Sequence, residues 1–272
     1  MSDNETRQVQ SVTVPGLSST SKNTITSIAH DQHGRPERLL VCSKRTYHVV
    51  DLKKSHFDQI QAEDVRRTER SHQLSANDPS CVKFCNGAAD IFALLSHHAH
   101  IELERIDPSS GAVVKVLPPE KTLRHNRYVT DIDWSPAKSV PKLAATSKDN
   151  DLKIWRLEIG KVESKVKPLN KINLVSYSEL IKWCPFSLPS KSNAEASLIA
   201  HTRSTGQRIQ IMDIRSKDFS VRAVNLNETG VTVNARSIDF NRDGLMMVLA
   251  HTSTQVSSVR RLDSYIKVSQ FV

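Results

Sequence analysis

Glycine is scarce, with eight in 272 residues. Neither a Walker loop nor a dinucleotide-binding fingerprint can be assembled from so few, because both cradle phosphate on glycine-rich backbone. No Gly-x-Ser-x-Gly run occurs, which excludes a nucleophile elbow. No apolar run approaches eighteen residues, so no helical membrane span is expected. The start, Met-Ser-Asp-Asn-Glu-Thr-Arg, has no apolar stretch behind a basic head and does not read as a secretory signal. Four cysteines (Cys42, Cys81, Cys85, Cys184) in a chain of this length then read as reduced thiols of an intracellular protein. Aromatics make up only 5% of the chain, and none alternates with basic residues as a base-stacking platform requires. Few stretches sustain apolar spacing at three and four residues, so long helices are not expected.

What is present is a core-forming chain with an excess of cations. The hydrophobic fraction is 38% and the charged fraction 25%, with Lys plus Arg at 38 against 29 for Asp plus Glu, a net charge of +9. That balance suits an anionic partner, and a basic nucleic-acid or chromatin-associated protein is the alternative reading it raises. The densest basic stretch, Lys53 to Arg70, is interrupted by Asp58, Glu63, Asp64 and Glu69 and reads as a solvated loop. A nucleic-acid surface, if there is one, would depend on Arg66, Arg67 and Arg70. Residues 1–23 are polar and rich in Ser and Thr and read as a disordered tail; residues 24–272 read as one continuous array, with surface excursions at 53–79 and from Ser187 to Glu195.

The array is repetitive. Five apolar runs each end in a hydroxyl residue, cross a short polar turn and continue as an alternating strand. The hydroxyls are Ser43, Ser96, Ser147, Thr202 and Thr252, about 50 to 55 residues apart, a period suited to propeller blades. Upstream strands ending in a bulky residue are read at Cys81–Phe84, Val129–Trp134, Leu180–Trp183 and Ser237–Phe240, two of them closed by Pro136 and Pro185. A fourth strand is read at Ala112–Val116 and at Val221–Val224. Four short antiparallel strands per period predict an all-β propeller of about five blades.

The third unit carries a family resemblance. His125-Asn126-Arg127-Tyr128-Val129, running to Trp134-Ser135-Pro136, followed by Leu143 to Trp155, resembles a WD40 repeat. In that family a histidine before the first strand, a hydroxyl in the second, an aspartate in the tight turn and a tryptophan in the third pin the blade. The resemblance assigns those roles to His125, Asp149 and Trp155. The hydroxyl place, four residues before the aspartate, is Ala145, so that link is missing unless Thr146 or Ser147 supplies it. The closing pair is Trp155-Arg156 in place of Trp-Asp. Residues 24–215 are also similar, in blade order and shape, to the N-terminal propeller of the WD-repeat protein fifty-nine family, whose members serve GATOR (SEA) assemblies that regulate the TOR kinase. The resemblance implies a non-catalytic scaffold for the other protein subunits of a multiprotein complex. It implies no small-molecule substrate and no cofactor, and a place in the cytoplasm, with recruitment to the lysosomal or vacuolar membrane through partners and the nucleus left open. Closed rings of the family have six to eight blades, so the ring is expected to be incomplete or closed by a partner.

Other constellations read as structural. Cys81 and Cys85 lie roughly 13 Å apart along a strand, at ~3.3 Å per residue, too far for one metal ion. His97, His98 and His100 lack a carboxylate or thiolate at matching spacing and read as polar turn residues. His201 and His251 recur within Ala-His-Thr and read as equivalent blade-packing residues. Asp131 and Asp133, two apart, read as channel-side carboxylates facing Lys or Arg in preference to an acid–base pair. The runs at 65–68 and 259–262 lack the aromatic and the glycine of a phosphoinositide-binding propeller. Trp134, Trp155 and Trp183 are expected to be buried, and the loop residues Arg127, Tyr128, Lys148 and Asn150 to meet partners.

Overall fold

The computed structural model describes the strands between Ile25 and Gln270 together with most of the loops from 79 to 185; residues 1–24, 53–64, 69–78, 186–197, 254–263 and a number of shorter loop positions lie outside the described residues. The polar tail, Arg70, His97, His98 and the Ser187–Glu195 loop fall there. Among the described residues there is no α-helix, and the chain forms five sheets in sequence order. The first is β1 (Ile25–His30), β2 (Arg38–Ser43), β3 (Tyr47–Leu52) and β4 (Val65–Thr68). The second is β5 (Pro79–Phe84), β6 (Ile91–Ser96), β7 (His100–Ile106) and β8 (Val113–Lys115), with the two-residue β9 (Leu123–Arg124) against β7. The third is β10 (Val129–Trp134), β11 (Lys142–Ser147), β12 (Asp151–Glu158) and β13 (Lys165–Asn173). The fourth is β14 (Ile181–Trp183), β15 (Leu198–Thr202), β16 (Arg208–Asp213) and β17 (Val221–Asn225). The fifth is β18 (Val233–Phe240), β19 (Met246–Ser253) and β20 (Ser264–Gln270).

Apart from β9 against β7, every ladder joins consecutive strands, and all are antiparallel, so each sheet is a meander from its first strand outward. The first strands β1, β5, β10, β14 and β18 neighbour one another in turn. They form the inner wall of the fold. Burial follows that order: β11 is buried at all six positions, whereas the outer strand β13 is mostly exposed. Lys165, Lys167 and Lys171 stand on that outer strand, and Pro168 sits opposite Trp155 where the register shifts. Lysines and a proline on an outer strand oppose further edge pairing.

Hydrophobic clusters sit between sheets. Val82 and Phe84 of β5 pack with Leu40 and Tyr47 of the first sheet. Ile132 and Trp134 of β10 pack with Ile91 and Leu95 of the second. Ile181 and Trp183 of β14 pack with Leu152 and Ile154 of the third, and Ile238 of β18 with Ala200 and Ile209 of the fourth. Each of β5, β10, β14 and β18 therefore turns one apolar face back toward the preceding sheet.

Two sequence readings need correction. The solvated loop read at Lys53–Arg70 contains β4: Val65, Arg66, Arg67 and Thr68 pair with Leu52, Asp51, Val50 and Val49, completing the first sheet. The charges hid it, because an outer strand shows no apolar alternation. His201 and His251 are not equivalent: His201 lies opposite Ile181, and His251 opposite Ala235 at a bulge. Ser43, Ser96 and Ser147 do share one place, each opposite the first residue of a bulged inner strand. His251 holds that place in the fifth sheet, so the sequence beat slips by one residue there.

Candidate functional site: a braced loop end and a laced inner wall

The third sheet is the best built. His125, buried before β10, sets Nδ1 3.2 Å from both carboxylate oxygens of Asp149 in the β11–β12 turn. Asp149 also accepts the amide N–H of Asn126 at 2.8 Å and of Asp151 at 3.0 Å. Burial pulls the His125 imidazole below its ordinary value, against the opposing pull of Asp149. Burial acts to raise the Asp149 carboxyl, but the two amides and His125 outweigh it and hold it below the usual carboxylate range. A neutral imidazole donating from Nδ1 to a carboxylate satisfies both directions. His125 meets Trp155 edge-on, ring centroids 5.7 Å apart at 83°. His125 thus touches both Asp149 and Trp155.

The hydroxyl link is broken where the sequence lacks it. Ala145 is fully buried on the same strand face as Leu143, in one cluster with Trp155, and His125 Nε2 is buried with no hydrogen-bond partner. Neither neighbour substitutes. Ser147 Oγ donates to the Arg127 carbonyl at 3.0 Å and accepts the Asp149 amide at 3.2 Å, while Thr146 accepts from the Thr130 hydroxyl at 3.1 Å. Ala145→Ser is therefore expected to raise stability by ~0.5–1.5 kcal/mol, the range of one net intramolecular hydrogen bond. Urea unfolding of the two forms checks it; an unchanged or lower midpoint would place the serine away from Nε2.

The brace fixes a loop end. Lys148 N–H donates to the Tyr128 carbonyl at 2.9 Å, and Leu174 N–H to the Asn150 carbonyl at 2.7 Å. Asn150 takes the left-handed conformation (φ 65°) that asparagine tolerates in a tight turn. Arg127, Tyr128, Lys148 and Asn150, the residues read as partner-binding, are thus gathered at one end of the third sheet. Tyr128 is 55% exposed, Arg127 and Lys148 are exposed and Asn150 is half-buried. The sequence reading missed Val175, 87% exposed in the β13–β14 loop at the same end, and the exposed Arg124. An apolar residue in a loop gives no periodic signal.

At the inner wall the three tryptophans and two aspartates divide into different roles. Trp155, on the third strand of its sheet, meets His125 and joins the cluster shared by the second and third sheets, whereas Trp134 and Trp183, both nearly wholly buried, donate their indole N–H backward across sheet boundaries. The acceptors are the Lys83 and Asp133 carbonyls, each at 3.1 Å. Asp131 and Asp133 reach forward instead. They accept the backbone N–H groups of Ile181 at 3.0 Å and Trp183 at 2.8 Å. Ser27 accepts the Val82 N–H in the same way at 3.3 Å. Along this wall the charges alternate: Lys83 approaches Asp133 at 3.9 Å, and Lys182 approaches Asp239 at 3.0 Å. Burial pushes the Asp131 carboxyl up to about 6, although Lys83 and the Ile181 amide pull it down. Its partners are backbone amides and lysine, with the Cys81 thiol nearby kept protonated, so the pair serves as a clasp between sheets.

The sign of that shift gives a pH prediction. A carboxyl whose pKa is higher in the fold than in the unfolded chain binds its proton more readily when folded. Stability therefore falls as pH rises from about 4 to about 6, and the ionised form is a standing cost at neutral pH. Asp131→Asn keeps an acceptor for the Ile181 N–H and removes the charge. It is expected to be ~1–2 kcal/mol more stable than the parent at pH 7.5, a figure reduced for the residue's partial contact with water. The difference should vanish near pH 4, and urea unfolding at the two pH values checks it.

Among the described residues no group of three or more His, Cys, Asp or Glu is placed to hold a metal ion. All four cysteines are free thiols; Cys42, Cys85 and Cys184 are buried, and burial pushes Cys42 and Cys81 up to about 12, where they are inert. His100 is exposed at the start of β7. No helix among the described residues is long and apolar enough to cross a membrane.

No known family profile matches the chain. Over 83 residues it is 37% identical to Denticleless protein homolog of Mus musculus, a WD40 protein; the match takes in 29% of this chain and 11% of that protein. Among solved structures, the chain is similar to Sqt1 of Saccharomyces cerevisiae, a WD40 protein, with a TM-score of 0.59, 6% identity and coverage of 92% of this chain and 64% of that one. A protein from Lactobacillus plantarum gives 0.56 at 11% identity, covering 90% and 70%. The fold is a WD40-type β-propeller. Identities this low carry the fold alone, and the chain spans about a tenth of its curated relative's length. The propeller is open: β1 and β18 end the row of inner strands, and the ring does not close among the described residues.

Proposed function

We propose that this propeller is a non-catalytic scaffold that captures an acidic segment of a partner protein on the loop end of its third sheet. The observation that carries the reading is the placement of Tyr128 and Val175, both largely exposed, in loops at one end of the third sheet with Arg127 and Lys148, and with Arg124 of β9 directly before the braced His125. An exposed tyrosine with arginine nearby is the composition of an interface anchor, and the surrounding cations select a partner of opposite charge. The similarity of residues 24–215 to the WD-repeat protein fifty-nine family supports a finer form of the proposal. In it the chain is a regulatory subunit of a GATOR/SEA-type assembly in amino-acid signalling to the TOR kinase, recruited through its partners to the lysosomal or vacuolar membrane.

Purification of the protein from cells tests both levels. Stoichiometric protein subunits are expected to co-purify, and Tyr128→Ala with Arg127→Glu should reduce their recovery by roughly 10- to 100-fold, as for loss of a hot spot. Equal recovery by the double variant would remove this surface from the account. Recovery of subunits unrelated to such an assembly would remove the finer form alone.

A further inference from the structure

His125 carries one polar atom that the fold does not use. The residue is 3% exposed, with Nδ1 donating to Asp149, the ring edge-on to Trp155, and Nε2 buried without a hydrogen-bond partner. The methyl group of Ala145 stands where the resemblance calls for a hydroxyl. A neutral ring tolerates this, because Nε2 then carries only a lone pair. A protonated ring does not: Nε2 gains an N–H and a share of positive charge with no acceptor, and an unpaired charged donor is costly to bury. The neighbouring charges do not cancel that cost. Burial opposes the charged ring and Lys153 of β12 adds to it, while Asp149 and Asp151 favour it; burial prevails and holds the imidazole below its ordinary value. From the β6–β7 connection the contact is Ala99, whose carbonyl accepts the His125 N–H at 2.7 Å. Arg124 and Arg127, on the same segment as the ring, are exposed.

What His125 is tied to gives its protonation a consequence. Asp149 holds both the ring and the Asn126 amide, and Asn126 leads directly into Arg127 and Tyr128. The Ser147 hydroxyl and the Lys148 amide bind the carbonyls of those two residues from the same turn. A ring that swings out to hydrate Nε2 leaves Asp149 and draws this segment with it.

We propose that His125 is an acid-operated latch: its protonation frees the 125–128 segment from Asp149, and the loop end then releases its acidic partner segment. The release rests on the capture surface proposed above; the latch itself does not. The two states of the ring set the sign. An open ring, in water, takes a proton near its ordinary value of about 6.5, and the closed ring only at lower pH. Closure is therefore fully favoured above that value and weakens as pH falls through it. At pH 5.5, about one unit lower, closure is disfavoured by up to about tenfold. Charge attraction alone predicts the opposite trend. Acidification adds positive charge to exposed histidines, which strengthens the hold on an acidic segment.

Amide hydrogen exchange of the full chain, read residue by residue by nuclear magnetic resonance, tests the latch. Between pH 7.5 and 5.5 the protection factor of the Asn126 amide is expected to fall roughly 5- to 10-fold, while amides of β11 keep theirs. His125→Asn sets a side-chain N–H in the place of Nδ1 and does not titrate, so its Asn126 protection should not change with pH. In a second arm, subunits that co-purify at pH 7.5 are washed at pH 5.5. Their recovery should fall roughly fivefold or more on the parent chain and stay constant on His125→Asn. Unchanged protection at Asn126 overturns the latch. Equal loss in β11 also overturns it, because the whole sheet is then unfolding, and so does the same pH response in His125→Asn. The first two outcomes come from the parent chain, so they stand even where the variant does not fold. An opening latch with undiminished recovery at pH 5.5 overturns the release. Recovery of no subunits at either pH counts against the capture surface, and the amide measurement still decides the latch.

Discussion

Trp183→Ala is expected to lower stability by ~3–5 kcal/mol, the range for truncating a core aromatic. Three ties meet at this residue: its ring fills the cluster shared by the third and fourth sheets, its indole donates to the Asp133 carbonyl, and its own amide donates to the Asp133 carboxylate. The first two are lost with the side chain; the third stays. Trp183→Phe separates them, keeping most of the packing and removing only the indole bond, for ~1 kcal/mol. Denaturant unfolding of both variants checks the pair. An alanine cost below ~1 kcal/mol would show that the boundary between the sheets has been misplaced.

The second large effect is expected at Asp149. Its carboxylate holds a buried imidazole and two backbone N–H groups, so Asp149→Ala leaves three donors without their acceptor. Unsatisfied buried donors are expensive, but Asn126 is exposed and water replaces part of what is lost there. The expected cost is ~2–4 kcal/mol. A further consequence separates this brace from general core damage. Asn126 precedes Arg127 and Tyr128, so loss of the brace loosens the proposed capture surface, and partner recovery should fall even at temperatures where the variant is fully folded. Asp149→Asn retains one acceptor oxygen and is expected to fall between the two. Full partner binding by folded Asp149→Ala would detach the brace from function.

How much of this was legible in the sequence depends on which strands face the core. Inner and second strands such as Cys81–Phe84, Val129–Trp134 and Leu143–Ser147 are apolar and end in a bulky or hydroxyl residue, so their existence and order could be read directly. The outer strands carry lysine and arginine; Ala112–Val116 and Val221–Val224 still read as strands, whereas β4 looked like a charged loop. The roles of His125, Asp149 and Trp155 were an expectation that the WD40 resemblance of the third unit carried, not one that spacing alone could give. The gap at Ala145 was legible too, and the unpartnered Nε2 of His125 is its physical trace. The inter-sheet lacing was not. Asp131 and Asp133 gave the sequence only a choice between channel residues and an acid–base pair, and their acceptance of Ile181 and Trp183 amides follows from sheet placement that no local pattern encodes.

The central claim is that five sheets stand in a row with their first strands side by side. Zero-length carbodiimide coupling tests it most directly, because it joins a lysine to a carboxylate only where the two touch. Peptide mapping of the coupled protein should find Lys182 joined to Asp239, two residues of neighbouring inner strands. Lys182 joined to carboxylates elsewhere, with no product at Asp239, would contradict the radial arrangement.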